Sequence, residues 1–188
     1  MKRSAAESLK GQTETLVAAA TAAAAWFRHP APSALSAART ARLRALGWRE
    51  TAVIAQKSAR GFAKTDAADA SFALREAVEH TTQAVSEAVR YGLEPDDGLL
   101  RTAEAVREAA KALAAAAAGR GKPRIDALLL AKKWSGEAER LRRLTRADAQ
   151  EDVSLTNALK RETVSTRLSN AAEAMQQACD ALAGGLAE

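Results

Sequence analysis

Glu79 and His80, adjacent in the chain, are the residues that most invite a chemical reading. A carboxylate beside an imidazole could ligate a metal or exchange a proton. On a helix, however, neighbouring residues diverge by about 100°, so the two side chains do not readily meet at one ion. A partly buried, hydrogen-bonded histidine is the expectation for His80. His29 lies in a proline-rich turn and is expected to cap a helix end. Cys179 is the one cysteine, so no internal disulfide can form, which fits a reducing cytoplasm. It has no base nearby in sequence and sits in an apolar stripe, so it reads as a small core residue and not as a nucleophile. Gly119-Arg120-Gly121-Lys122 is basic and glycine-rich but lacks the strand–loop–helix setting of a phosphate loop, and reads as a linker. No nucleophile–base pair and no HExxH motif is present. The chain is therefore read as a non-enzymatic protein without a cofactor.

The elements that would carry these residues are helices. Apolar residues make up 47% of the 188, much of that alanine, and aromatics only 4%, so the core must be thin and closely packed. No stretch alternates in the manner of a strand. Glycine and proline divide the chain into six helices. The first runs from about Ser4 to Phe27 and stops before His29-Pro30-Ala31-Pro32. Ser33 is a plausible cap for the second, which reaches about Phe62 and could kink at Gly47 or Gly61. Thr65 or Asp66 can cap the third, with Gly92 placed to stop it after Tyr91. The fourth spans about Asp97 to Ala118, the fifth Arg124 to Arg146, and the sixth begins near Asp152 or Ser154 and ends by Gly184.

Val164, Leu168, Ala171, Met175, Ala178 and Leu182 step by four and three along the sixth helix, and Leu74, Val78, Thr81, Val85 and Ala88 do the same on the third. The two helices also match residue for residue: Leu74, Ala77, Glu79, Gln83 and Ala84 recur as Leu168, Ala171, Glu173, Gln177 and Ala178, an offset of 94. This predicts one all-α domain over 1–188, a six-helix bundle built as two three-helix halves of about 1–93 and 94–188. Trp134 should pack on the apolar face of the fifth helix, with Leu130, Ala138 and Leu141. No segment is long and apolar enough to span a bilayer, so no membrane insertion is expected, and a cytoplasmic location follows from the cysteine usage and this solubility. The net charge of +5 is modest, and the arginines around Arg39–Arg49 and Arg140–Arg146 read first as solvated helix faces. No reader motif for nucleic acid is present, and none is expected as a partner.

Two three-helix halves in about 200 residues resemble the PhoU-like regulators of phosphate transport, in particular the branch associated with Pit-type transporters. The resemblance is carried by Phe62, Lys64-Thr65-Asp66, Asp69, Leu74, Glu79, His80 and Gln83, by Ser135-Gly136-Glu137-Ala138-Glu139-Arg140-Leu141, and by Leu168 to Glu173. It implies acid pairs one helical turn apart that gather oxygen ligands around a cation. Here the pairs are broken. Gln83 stands opposite Glu79, Ser135 opposite Glu139, and Ser169 and Asn170 beside Glu173, while arginines and Trp48 occupy the corresponding stretch of the second helix. No metal is expected; Glu79, His80, Glu139 and Glu173 are the residual candidates, and Trp48 could fill the volume of the missing site. The implied function is regulation of inorganic phosphate transport by protein–protein interaction, with a Pit-type transporter or a phosphate-signalling protein as partner. A generic helical scaffold that has left phosphate control is the alternative. A homo-oligomer is allowed by the long, arginine-bearing second helix.

Overall fold

The computed structural model describes residues 5–58, 63–94, 96–150 and 154–184. Among these there are six helices and no strand: α1 (Ala5–Arg28), α2 (Pro32–Ser58), α3 (Ala63–Tyr91), α4 (Asp97–Ala118), α5 (Lys122–Gln150) and α6 (Leu155–Gly184). Connections this short force successive helices to run antiparallel. Arg167 pairs with Glu87 at 3.0 Å and Lys160 Nζ donates to the Tyr91 carbonyl at 3.1 Å, which sets α6 antiparallel to α3. Phe62 and the side chains of Lys64 and Thr65 lie outside the described residues.

Several helix boundaries differ from the sequence expectation, and proline explains two of them. α2 begins at Pro32 rather than being capped by Ser33, with Ala31 supplying the first carbonyl to Leu35 N at 3.3 Å. α5 begins at Lys122, with Pro123 inside its first turn. Proline at a helix start sacrifices no hydrogen bond, since the first amides have no intrahelical partner anyway. α3 starts at Ala63, before the expected cap at Thr65 or Asp66, and α2 stays helical through Gly47. Gly92 ends α3 as expected. It takes a φ of +60°, with Leu93 N bonded to Ala88 O at 3.0 Å and Gly92 N to Val89 O at 3.2 Å, the paired bonds of a glycine-terminated helix. Asp96 Oδ1 then accepts from Leu99 N at 2.8 Å and caps α4.

α3 packs most extensively on α6, and α1 packs on α4. Those two contacts join the halves. Within each half, α2 lies across α1 and α3, and α5 lies across α4 and α6. The four inner helices thus form a closed ring of neighbours, α1–α3–α6–α4, with α2 and α5 covering opposite edges. The halves correspond in burial as well as in order. At an offset of 94, Leu74 and Leu168, Ala77 and Ala171, and Val85 and Cys179 are all buried. At an offset of 90, Leu16 and Val106, Ala19 and Ala109, and Ala23 and Leu113 are buried too. Buried positions of α1 and α4 thus line up at a common offset.

Trp134 is half-buried against the core beside Leu141, with Ala138 fully buried, as expected. Leu130 is not on that face: it is 45% exposed, and Leu128 and Ala131 take the inward positions. The buried α5 stripe runs Leu128, Ala131, Ser135, Ala138, and a residue one place before Ala131 is rotated about 100° away from it. Trp48 is also half-buried, and its indole lies against α1, where a Cβ added at Gly11 would sit 2.4 Å from the ring. Glycine is what lets α2 approach there.

Leu74 and Leu168 occupy equivalent places in the α3–α6 seam, so truncating either should cost about the same. We expect Leu74→Ala and Leu168→Ala each to lower the unfolding free energy by about 2–5 kcal/mol, against less than about 0.5 kcal/mol for Leu129→Ala on the outer face of α5. Urea denaturation monitored by circular dichroism measures this, and tolerance of either seam leucine would contradict the equivalence.

Candidate functional site: glutamates clasped by arginine

Glu139 on α5 and Glu162 on α6 are joined by Arg142. Its Nε and Nη2 donate to the two oxygens of Glu139 at 3.1 and 3.2 Å, and its Nη1 donates to Glu162 Oε1 at 3.3 Å. Arg143 stands 3.6 Å from Glu139, and Arg146 stands 3.9 Å from Glu162. From across the α5–α6 seam, the Ser169 hydroxyl donates to Glu139 Oε2. α5 places Glu139, Arg142, Arg143 and Arg146 at spacings of three and four, so one face carries both signs of charge. The hydrogen bond from Arg142, aided by that from Ser169 and opposed by partial burial, holds the Glu139 carboxyl below its ordinary range. The same bond raises Arg142.

On the other half, Glu79 accepts from Gln83 Nε2 at 3.2 Å and lies 3.7 Å from Arg42 of α2. His80 is partly buried as expected, but its Nδ1 is enclosed without a hydrogen-bond partner. Glu173 is exposed. Ser135, one turn before Glu139, points into the core, fully buried and with its Oγ unpartnered. The four residual candidates are thus spread over separate surroundings, and among the described residues no three His, Cys, Asp or Glu side chains group closely enough to hold a metal ion. His29 is exposed; its backbone N–H closes the last turn of α1 on the Ala25 carbonyl at 3.0 Å.

The sequence reading missed Arg142 and Glu162 as members of this cluster. The signal available was the three-residue step from Glu139 to Arg142; the reach to Glu162 depends on how α5 crosses α6, which spacing along one helix does not contain. Ser169 was read as a lost acid beside Glu173, whereas it serves Glu139 on the neighbouring helix. A carboxylate whose oxygens are engaged by a guanidinium has little left for a cation, and the positive charge beside it repels one. Cys179 is fully buried, with its Sγ 3.9 Å from the Leu128 carbonyl, and burial pushes its thiol up to about 12. It holds almost no thiolate at neutral pH.

No family model matches the chain, and no curated protein matches it.

Two outcomes follow from these environments. Since the folded-state value of Glu139 is depressed, its pairing stabilises the fold above the ordinary carboxylate range, and that share is lost as pH falls through the lower, folded value. The side chain is 35% exposed, so screening keeps the effect under about 1 kcal/mol. Glu139→Gln should therefore be slightly less stable than the parent near pH 7, with the gap narrowing as pH falls below the ordinary carboxylate range; a gap that does not change with pH would deny the carboxylate's charge a role. Cys179 should resist a thiol reagent in the native protein and react at once in denaturant, and rapid native labelling would contradict the burial.

Proposed function

We propose that this chain is a non-enzymatic cytoplasmic regulator or accessory protein of inorganic phosphate transport, acting through protein–protein contact. The observation that supports this best is the pairing of two pseudo-equivalent three-helix halves through α1–α4 and α3–α6, the layout the PhoU-like resemblance implies. The charged faces of α2 and α5 supply contact surface of the required kind. On this reading the partner is a Pit-type transporter or a phosphate-signalling protein, and the chain works without a metal, because Glu79 and Glu139 are committed to Arg42 and Arg142. That same commitment favours a second reading, a helical scaffold that keeps the fold and has left phosphate control.

Deleting the gene separates the two. The transport reading expects altered phosphate uptake or altered phosphate-responsive expression, and the scaffold reading expects neither. Elemental analysis of protein purified without chelators should find far less than one equivalent of iron, zinc or manganese per chain; a stoichiometric metal would overturn the metal-free mechanism.

A further inference from the structure

The charge of this protein is concentrated on its two outer helices. α2 carries five basic residues and one acid, and α5 carries eight and four, a surplus of four on each. α1, α4 and α6 are each balanced, and α3 has a surplus of two acids. The whole chain amounts to +5, so the inner layer and connections contribute no net positive charge.

Both outer helices also place apolar side chains on the crest that faces away from the core. The buried edge of α2 is Ala34, Ala38, Ala41 and Ala45, and the opposite crest is Leu43, 69% exposed, with Leu46 beside it. Arg39 and Arg44 flank that crest, Arg42 lies nearer the core in its pair with Glu79, and no acid lies on α2 between Pro32 and Trp48. On α5 the outer side carries Ile125 and Leu129, the latter 62% exposed, with Lys132 and Lys133 within about one turn of Leu129, the exposed acid Asp126 beside them, and Arg140 about three turns further along. Lys132 and Arg140 are held in surface ion pairs with Asp180 and Glu137, which are weak enough to exchange for another anion. An apolar crest flanked by long cationic side chains is the arrangement of a helix that lies in a bilayer interface: the leucines enter the headgroup boundary while lysine and arginine reach the phosphates.

The geometry points to the outer faces of α2 and α5 as docking faces for anionic lipid headgroups, placed on opposite sides of the bundle so that one molecule can bridge two membrane surfaces. A second copy of this chain fits poorly, because it would set one surplus of positive charge against another. The faces are convex ridges and not grooves, which suits a broad, flat anionic surface better than a single acidic peptide. This inference goes beyond the transport reading and does not rest on it.

Vesicle co-sedimentation tests it on the full chain, with vesicles of phosphatidylcholine alone and of three parts phosphatidylcholine to one part phosphatidylserine. The expected result is binding to the anionic vesicles only, weakened in about 0.5 M salt, where the Debye length falls below about 5 Å. Turbidity should rise as bound molecules cross-link vesicles. Arg39→Glu with Leu43→Glu, or Leu129→Glu with Lys133→Glu, should each leave binding within about twofold but abolish the turbidity, and the two pairs together should weaken binding at least about tenfold. Arg90→Glu with Arg101→Glu, exposed positions on α3 and α4, shifts the net charge by four, against three for either pair, and should change neither readout. If the combined variant loses helicity, Arg39→Glu with Lys133→Glu supplies the same comparison. Absence of binding to anionic vesicles, equal loss in the Arg90/Arg101 variant, or capture by soluble polyglutamate with the vesicles left unbound would overturn the proposal, the last in favour of an acidic protein segment.

Discussion

The structure depends on helices lined with alanine where they meet. Among the described residues, alanine supplies 26 of the 41 buried apolar side chains, so the inner helices can approach closely over their length. Each alanine hides little area and loses no rotamer freedom, and stability comes from many small contacts in place of a few large ones. The large buried residues are few, and Leu16, Leu74, Leu113, Leu168 and Met175 interrupt the alanine surfaces and set which face meets which. Buried hydroxyls fit the same scheme. Thr15, Thr81, Thr102 and Thr145 donate to the carbonyl one turn back on their own helix and ask nothing of the neighbour.

A thin core has a consequence for the surface. With α1, α3, α4 and α6 filling the interior, α2 and α5 can be attached along narrow stripes of small residues, and more than half of each circumference is left to water. Charge accumulates there, and so do leucines with no place inside. The arginine–glutamate cluster of α5 and α6 belongs to this outer layer. It spans two helices and binds them through exposed and half-buried groups, so it orients α5 more than it stabilises the fold.

The helical class, the six elements and the burial of the α3 and α6 stripes were all legible from periodicity and punctuation. Leu74 and Leu168 are both buried, on helices that pack on one another. The correspondence of α1 with α4 was harder to read, because runs such as Ala18–Ala20 and Ala114–Ala118 match in any register and burial alone distinguishes them. Leu130 shares helical spacing with Trp134, Ala138 and Leu141, yet two better-phased residues, Leu128 and Ala131, already fill the inward side. The broken acid pairs were visible in the chain, but their replacements were not. Arg142 joins Glu139 to Glu162 across a helix–helix crossing, and the partner of Ser169 lies thirty residues away, where only packing can bring it.

The ring of α1, α3, α6 and α4 should unfold as one cooperative unit, with α2 and α5 laid over it. Native-state hydrogen exchange measured by mass spectrometry addresses that order directly. Amides of α3 and α6 around Leu74 and Leu168 should exchange only through global unfolding, while those of α2 between Ala34 and Ala45 should open at lower free energy. Protection in α2 equal to or above that of the α3–α6 seam would contradict it.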